Sequence, residues 1–248
     1  MKGTFFNKPL EWNIETKEES WQQGSTLHGT LRVKNHGTES INLENPGVSL
    51  AYADIKKVHA KKEGILRPEV KAELSEKSIA PGETKELSFI LNLPQNCPVS
   101  DKRSTYFLCY GKNHTENHLQ LKIEPRALYG KLVGLMDTFQ RFKLKEFKGS
   151  KKGVEYKLLP PTSREMANLD SLNLTIFMQG ENLKLDFEFQ VRKLDTSTET
   201  NKINMVAVKI ERTLSPKEYS LGRDMINQDH LLKVFEAVVS EVKLQSVF

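Results

Sequence analysis

The sequence predicts an all-β protein: two β-sandwich domains, the second opened by a short helix, followed by a C-terminal helix. Three observations predict it. Short apolar runs of period two recur through the first half with turn signals between them. The period changes to a helical one after Pro125 and then returns to two. An apolar stripe of helical period follows near the C-terminus.

In the first half, Leu10-Glu-Trp-Asn-Ile14 alternates. Thr26 to Val33 puts Leu27, Gly29, Leu31 and Val33 on one strand face and His28, Thr30 and Arg32 on the other. Asn35-His36-Gly37 signals a turn. Ile41 and Leu43 alternate, Asn45-Pro46-Gly47 turns again, and Val48, Leu50, Tyr52 and Ile55 continue a strand. Lys56 to Lys77 is charged and poorly periodic, and reads as a long loop with a short strand. Ile79-Ala-Pro-Gly-Glu83 turns into Leu87, Phe89, Leu91 and Leu93 at every second residue. Pro94 ends that strand, because proline donates nothing to the ladder. Tyr106-Phe-Leu-Cys-Tyr110 is a further apolar strand, and Leu119-Gln-Leu-Lys-Ile123 alternates up to Glu124-Pro125. The first domain is expected over residues 1–124.

Beyond it, Leu128, Leu132, Leu135, Met136 and Phe139 form a helical stripe over about 126–138, with Pro125 suited to a first helical turn. Strands resume at Phe142-Lys-Leu144, Val154 to Leu158 and Leu172 to Ile176. Leu183, Leu185, Phe187, Phe189 and Val191 then alternate with Lys184, Asp186, Glu188 and Gln190. Ile203 to Ile210 is another strand, and the polar run Asp195 to Asn201 reads as an exposed hairpin loop. The second domain is expected over 125–215 and a tail over 216–248. In the tail Asp229 caps a helix whose apolar face carries Leu231, Leu232, Phe235, Val238, Val239 and Val242.

Composition fits a folded chain: 38% hydrophobic and 28% charged residues, with a net charge of +5. No run approaches the roughly 18 apolar residues of a membrane span. Met1 to Phe6 lacks the apolar core of a secretory signal, so a cytoplasmic location is expected. Without a signal, a disulfide between Cys97 and Cys109 is the lesser reading. Cys109 reads as a buried small hydrophobe, and Cys97 as a loop residue open to solvent.

Catalytic and metal patterns are missing from the sequence. The six histidines form no His-Glu-x-x-His, and no Cys-x-x-Cys pair is present. His114 and His118 stand four apart at a hairpin end, where that spacing does not converge. There is no Walker loop, no dinucleotide fingerprint and no Gly-x-Ser-x-Gly. The expectation is a non-enzyme without a cofactor.

Positive charge is local. Residues 125–160 hold nine basic against three acidic side chains. Arg141, Lys143, Lys145, Lys148, Lys151 and Lys152 crowd one short stretch, opposed by Glu146 alone. With Phe142 and Leu144 interleaved, Arg141, Lys143 and Lys145 would line one strand face. Two readings stand: a patch for an anionic membrane surface or acidic partner, or lysines guarding an edge strand. Nucleic-acid binding is disfavoured, since no stacking aromatics accompany the cations.

One set of residues carries a resemblance. Gly29 within its alternation, Ile41 to Tyr52, Ile79-Ala-Pro-Gly82, Phe89 to Pro94 and Tyr106 resemble the N-terminal half of arrestin-fold proteins. Glu124-Pro125, the helix to Phe139, Tyr156-Lys-Leu-Leu-Pro160 and Leu169-Asp-Ser-Leu172 leading into Leu174 to Phe177 resemble the bacterial sporulation-control, SpoOM-like, type of that fold. The resemblance covers about residues 4–212. It implies two β-sandwiches without catalytic residues and a cytoplasmic adaptor or scaffold working through protein partners. Capture would use strand edges such as Thr4, Phe5 and Phe6 and the sandwich-end loops. The rival expectations are a homodimer or larger assembly built on the C-terminal helix, and a small-ligand-binding sandwich.

Overall fold

A computed structural model describes residues 1–73, 78–114, 116–150, 152–195, 202–222 and 225–245. The chain divides into two compact units, Met1–Glu124 and Pro125–Phe248.

The first unit is a two-sheet sandwich. One sheet has the order β1 (Lys2–Asn7), β2 (Leu10–Thr16), β4 (Thr26–Asn35) and β9 (Thr84–Asn92). The other has the order β11 (Asn117–Gln120), β10 (Ser104–Gly111), β6 (Gly47–Asp54) and β7 (Val70–Glu73). Two-residue pairings join β3 (Trp21–Gln22) to β12 (Ile123–Glu124), and β5 (Ile41–Asn42) to β8 (Ser78–Ile79). The inner faces bury Trp12, Leu27, Leu31 and Val33 from one sheet and Val48, Leu50, Tyr106 and Leu108 from the other. These are the alternate residues the sequence pattern singles out, because a strand with one buried face repeats every second residue.

Gly29 is required where it stands. A Cβ there would lie 2.3 Å from Cζ of Phe89 and 2.6 Å from the Glu15 carbonyl oxygen. The Phe89 ring occupies the space the glycine leaves on its cross-strand neighbour.

The stretch from Lys56 is more ordered than its sequence suggests. It lies partly in a helix, α1 (Ile55–His59), capped by the Asp54 carboxylate accepting from the Lys57 N–H at 3.1 Å. Val58 from α1, with Ile65 and Leu66 beyond it, covers Ala51, Ala53, Phe107 and Cys109 on the outer face of the second sheet. Residues 74–77 lie outside the described part.

The second unit is built on one antiparallel sheet in chain order. Its strands are β13 (Lys143–Gly149), β14 (Val154–Leu159), β15 (Leu169–Gln179), β16 (Asn182–Asp195) and β17 (Lys202–Leu214). The short helix opening the unit is α2 (Ala127–Gln140), and a four-residue α3 (Pro216–Tyr219) precedes the C-terminal α4 (Gln228–Gln245). The layer opposite the described sheet is helical: α4 packs on α2, and its Phe235 meets the Phe187 ring edge-on at 6.2 Å. The tail expected from residue 216 is thus part of this unit. Helix starts also differ in detail. Arg126 precedes α2 with Pro125 outside it, and Asn227 caps α4 through the His230 N–H, leaving Asp229 in the first turn. Phe139 falls outside the buried stripe of α2, where Tyr129 and Val133 take the inward positions. The loop expected at Asp195 to Asn201 lies, apart from Asp195, outside the described residues.

Candidate functional site

Strand β1 is the terminal strand of its sheet, and its register shows what it offers there. Thr16 N–H donates to Met1 O at 2.9 Å and the Met1 amino group donates to Thr16 O at 3.1 Å, so Met1 and Thr16 form a hydrogen-bonded pair. Such pairs alternate along an antiparallel ladder, so Gly3 and Phe5 bond to β2. Thr4 and Phe6 turn their N–H and C=O groups outward. Side chains follow the opposite logic. Phe5 packs against the core, whereas Phe6 is 62% exposed and Thr4 donates from Oγ1 to Asn13 Oδ1 at 2.6 Å. Of the expected contact residues Thr4, Phe5 and Phe6, two present backbone groups and one anchors the strand.

Beside β1 lies a cleft of about 660 Å³. Strands β1 and β11 form its walls, each the edge of its own sheet. Gly3 brings them close, since a Cβ there would come 2.7 Å from a Leu119 methyl. Asn7 Nδ2 donates to Glu116 Oε1 at 2.7 Å, and the Lys112 N–H donates to the other oxygen of the same carboxylate at 3.2 Å, which closes one end. Val58, Ile65 and Leu66 supply apolar lining, and Lys61 and Lys62 supply positive charge. The sequence reading missed these five residues inside a nominal loop. The signal was Asp54 followed by Ile55-Lys-Lys-Val58, a cap and an apolar i,i+3 pair.

His118 on β11 also lines the cleft, with the Phe107 ring edge-on at 5.4 Å. Burial, and then the nearby His59, hold its imidazole below the ordinary range. The unfolded chain therefore binds the proton more readily than the folded one. His118 contributes stability that is complete above the ordinary pKa of about 6.5 and is lost as pH falls toward its lower folded value. Urea unfolding followed by Trp12 and Trp21 fluorescence at about pH 7.5 and about pH 5.5 is expected to show a smaller acid loss in His118→Phe than in the natural chain.

The basic segment does not form the single-faced array expected of it. Arg141 ends α2 in the left-handed region with φ 58°. Lys143 is paired with Asp137, and Lys148 with Glu155 at 2.9 Å. Lys145 sits at a register shift between Leu144 and Glu146, a β-bulge that takes it out of the alternation shared by Lys143 and Lys148. Lys152 lies on the polar sheet face near Asp186, whose carboxyl is pushed up by burial and Glu211 against the pull of Lys152 and Lys184. Lys151 lies outside the described residues. Lysines and a bulge on a terminal strand are the devices that blunt a sheet edge.

The face expected on the C-terminal helix is consumed within its own unit. Leu231, Phe235, Val238, Val239 and Val242 are buried, and Leu232 is half-buried. Arg212 bonds Glu241 and Lys243 bonds Glu165, each at 2.6 Å, pinning the helix at its C-terminal half. A second copy could use this face only if α4 left the sheet.

Cys97 is buried rather than open to solvent, because the Gln23 Nε2 donates to its carbonyl at 2.6 Å and ties the loop inward. Neither cysteine is in a disulfide, and burial pushes the Cys109 thiol up to about 12. Among the described residues no group of three His, Cys, Asp or Glu side chains is placed to hold a metal ion, and no helix is long and apolar enough to cross a membrane.

Two β units, the second with its helical layer, define an arrestin-like fold. The chain is similar to the crystal structure of Spo0M, the sporulation control protein from Bacillus subtilis, with a TM-score of 0.61 and 15% identity, over 94% of this chain and 98% of that one. At that identity the likeness is one of fold. A β-glucosidase from Listeria innocua (15% identity, 48% of this chain, 17% of that one) and the secreted serine protease VesC from Vibrio cholerae (13%, 82% and 43%) match at TM-scores of 0.25 and 0.26, too low to bear on this chain. No protein-family model matches the sequence, and no curated protein matches it.

Proposed function

We propose that the protein is a non-enzymatic cytoplasmic adaptor of the Spo0M-like regulatory kind, which captures an extended segment of a protein partner on the free edge of β1. The observation that carries this is the conjunction at one place of an open strand edge and a cleft with apolar lining and a cationic rim. Strand addition supplies affinity through main-chain hydrogen bonds, and side-chain pockets select the sequence. The outward groups of Thr4 and Phe6 accept the added strand. The lining of Val58, Ile65 and Leu66 favours an aliphatic side chain, and Lys61 and Lys62 favour a carboxylate beside it. The fold shared with Spo0M supports a regulatory role of that protein's kind.

Thr4→Pro with Phe6→Pro removes two outward N–H donors and leaves the Gly3 and Phe5 bonds to β2 in place. Partners recovered from native lysate by the natural chain are expected to be lost, or retained at under about a tenth, in this variant. Equal recovery would remove the β1 edge from the reading.

A further inference from the structure

The sheet of the second unit ends in two strands that are treated in opposite ways. β13 carries three lysines and a bulge. β17 carries, at its own edge, Ile203-Asn-Met-Val-Ala-Val208, with neither a charge nor a proline among those six residues. Ile203 is 66% exposed, Met205 50% and Val206 37%. Unguarded apolar edges are what soluble proteins avoid, because they template further pairing.

The register shows which groups this edge presents. Gln179 and Asn182 close the two-residue turn between β15 and β16, so the even-numbered residues of β16 bond toward β15. The Arg192 N–H agrees, donating to Asn168 O at 2.7 Å on that side. The odd-numbered residues of β16 then bond β17, reaching Val208 from Phe189 and Val206 from Val191. Ile203, Met205 and Ala207 are left to turn their N–H and C=O groups away from the sheet. The apolar side chains lie on both faces: Ile203, Met205 and Ala207 on one, Val206 and Val208 on the other. A layer packed on one face would cover only half of them. A strand added at the edge covers both.

We infer that the 203–208 edge of β17 is a second strand-capturing site, whose occupant is an extended segment of a partner protein with aliphatic or threonine side chains at alternating positions. A second copy of this chain fits less well: six residues a side fall far short of the roughly 20–30 that a stable interface engages. Lys209 adjoins the apolar run but is already paired with Glu188 at 3.2 Å, so the apolar side chains, not charge, select the segment. This inference does not rest on the β1 reading, since the two edges belong to different units and answer to different substitutions.

The test is fluorescence anisotropy with a labelled peptide of about eight residues, alternating valine and threonine with a glutamate at each end. Saturable binding is expected. It should weaken roughly fivefold to tenfold in Met205→Pro, which removes one outward N–H, and in Val206→Lys, which places a charge on the edge. The exposure of both side chains keeps these variants folded, and urea midpoints check it. Thr4→Pro with Phe6→Pro should leave binding in place. No binding to the natural chain, or equal binding to Met205→Pro and Val206→Lys, overturns the inference. Loss in the β1 variant alone would assign the peptide to β1 instead. A light-scattering mass of two chains that falls to one in Val206→Lys would make the occupant a second copy and overturn it too.

Discussion

Replacing Phe235 by alanine is expected to destabilise the second unit by about 3–5 kcal/mol. Phe235 is fully buried and meets Phe187, whose ring is stacked with that of Phe189 at 6.2 Å. Truncation leaves a cavity between α4 and the centre of the sheet, where neighbouring side chains collapse only in part. The ion pairs Arg212–Glu241 and Lys243–Glu165 are partly or largely exposed and screened by solvent, so they do not compensate. Hydrogen exchange of the β15 and β16 amides should accelerate by about two to four orders of magnitude. Leu244→Ala, at a residue 70% exposed on the same helix, should leave those rates unchanged. An equal response to both would mean that α4 does not cover the sheet.

Gly29→Val is expected to be the most damaging single change in the first unit. The new side chain would meet the Phe89 ring and, at 2.6 Å, the Glu15 carbonyl oxygen. The ring can rotate away only by abandoning the core. The carbonyl belongs to β2, which is held by β1 on one side and β4 on the other. Overpacking against backbone puts the expected loss at about 3 kcal/mol or more. Trp12 and Trp21 are the two tryptophans of the chain and both are buried in this unit, so the urea midpoint of tryptophan fluorescence reads the change. A midpoint within experimental error of the natural one would show that β4 and β9 accommodate a side chain there.

Much of this architecture is legible in the residues. Alternation identified Leu27 to Val33, Leu87 to Leu91 and Leu183 to Val191, because a one-sided strand writes its burial into every second residue. The change of period at Pro125 revealed α2. What alternation does not encode is a strand's neighbour. Thr4 to Phe6 and Ile203 to Val208 are edges because of the pairing order, a property of residues distant in sequence. The cleft was hidden for a related reason. Its lysines and its apolar lining sit in a stretch whose charge obscures a single helical turn, and they become a wall only when β11 arrives opposite β1. The basic run shows the converse. Its cations are plain in sequence, but Asp137, Glu155 and a bulge, all set by the fold, decide how much of that charge faces outward as one surface.

Addition of an extended partner segment to the β1 edge is read out by residue-resolved hydrogen exchange of the protein with and without the partner recovered from lysate. Gly3 and Phe5, already bonded to β2, should be protected in both states. With strand addition, the outward amides of Thr4 and Phe6 exchange freely alone and become protected in the complex. Protection elsewhere, with Thr4 and Phe6 still exchanging freely, would contradict it.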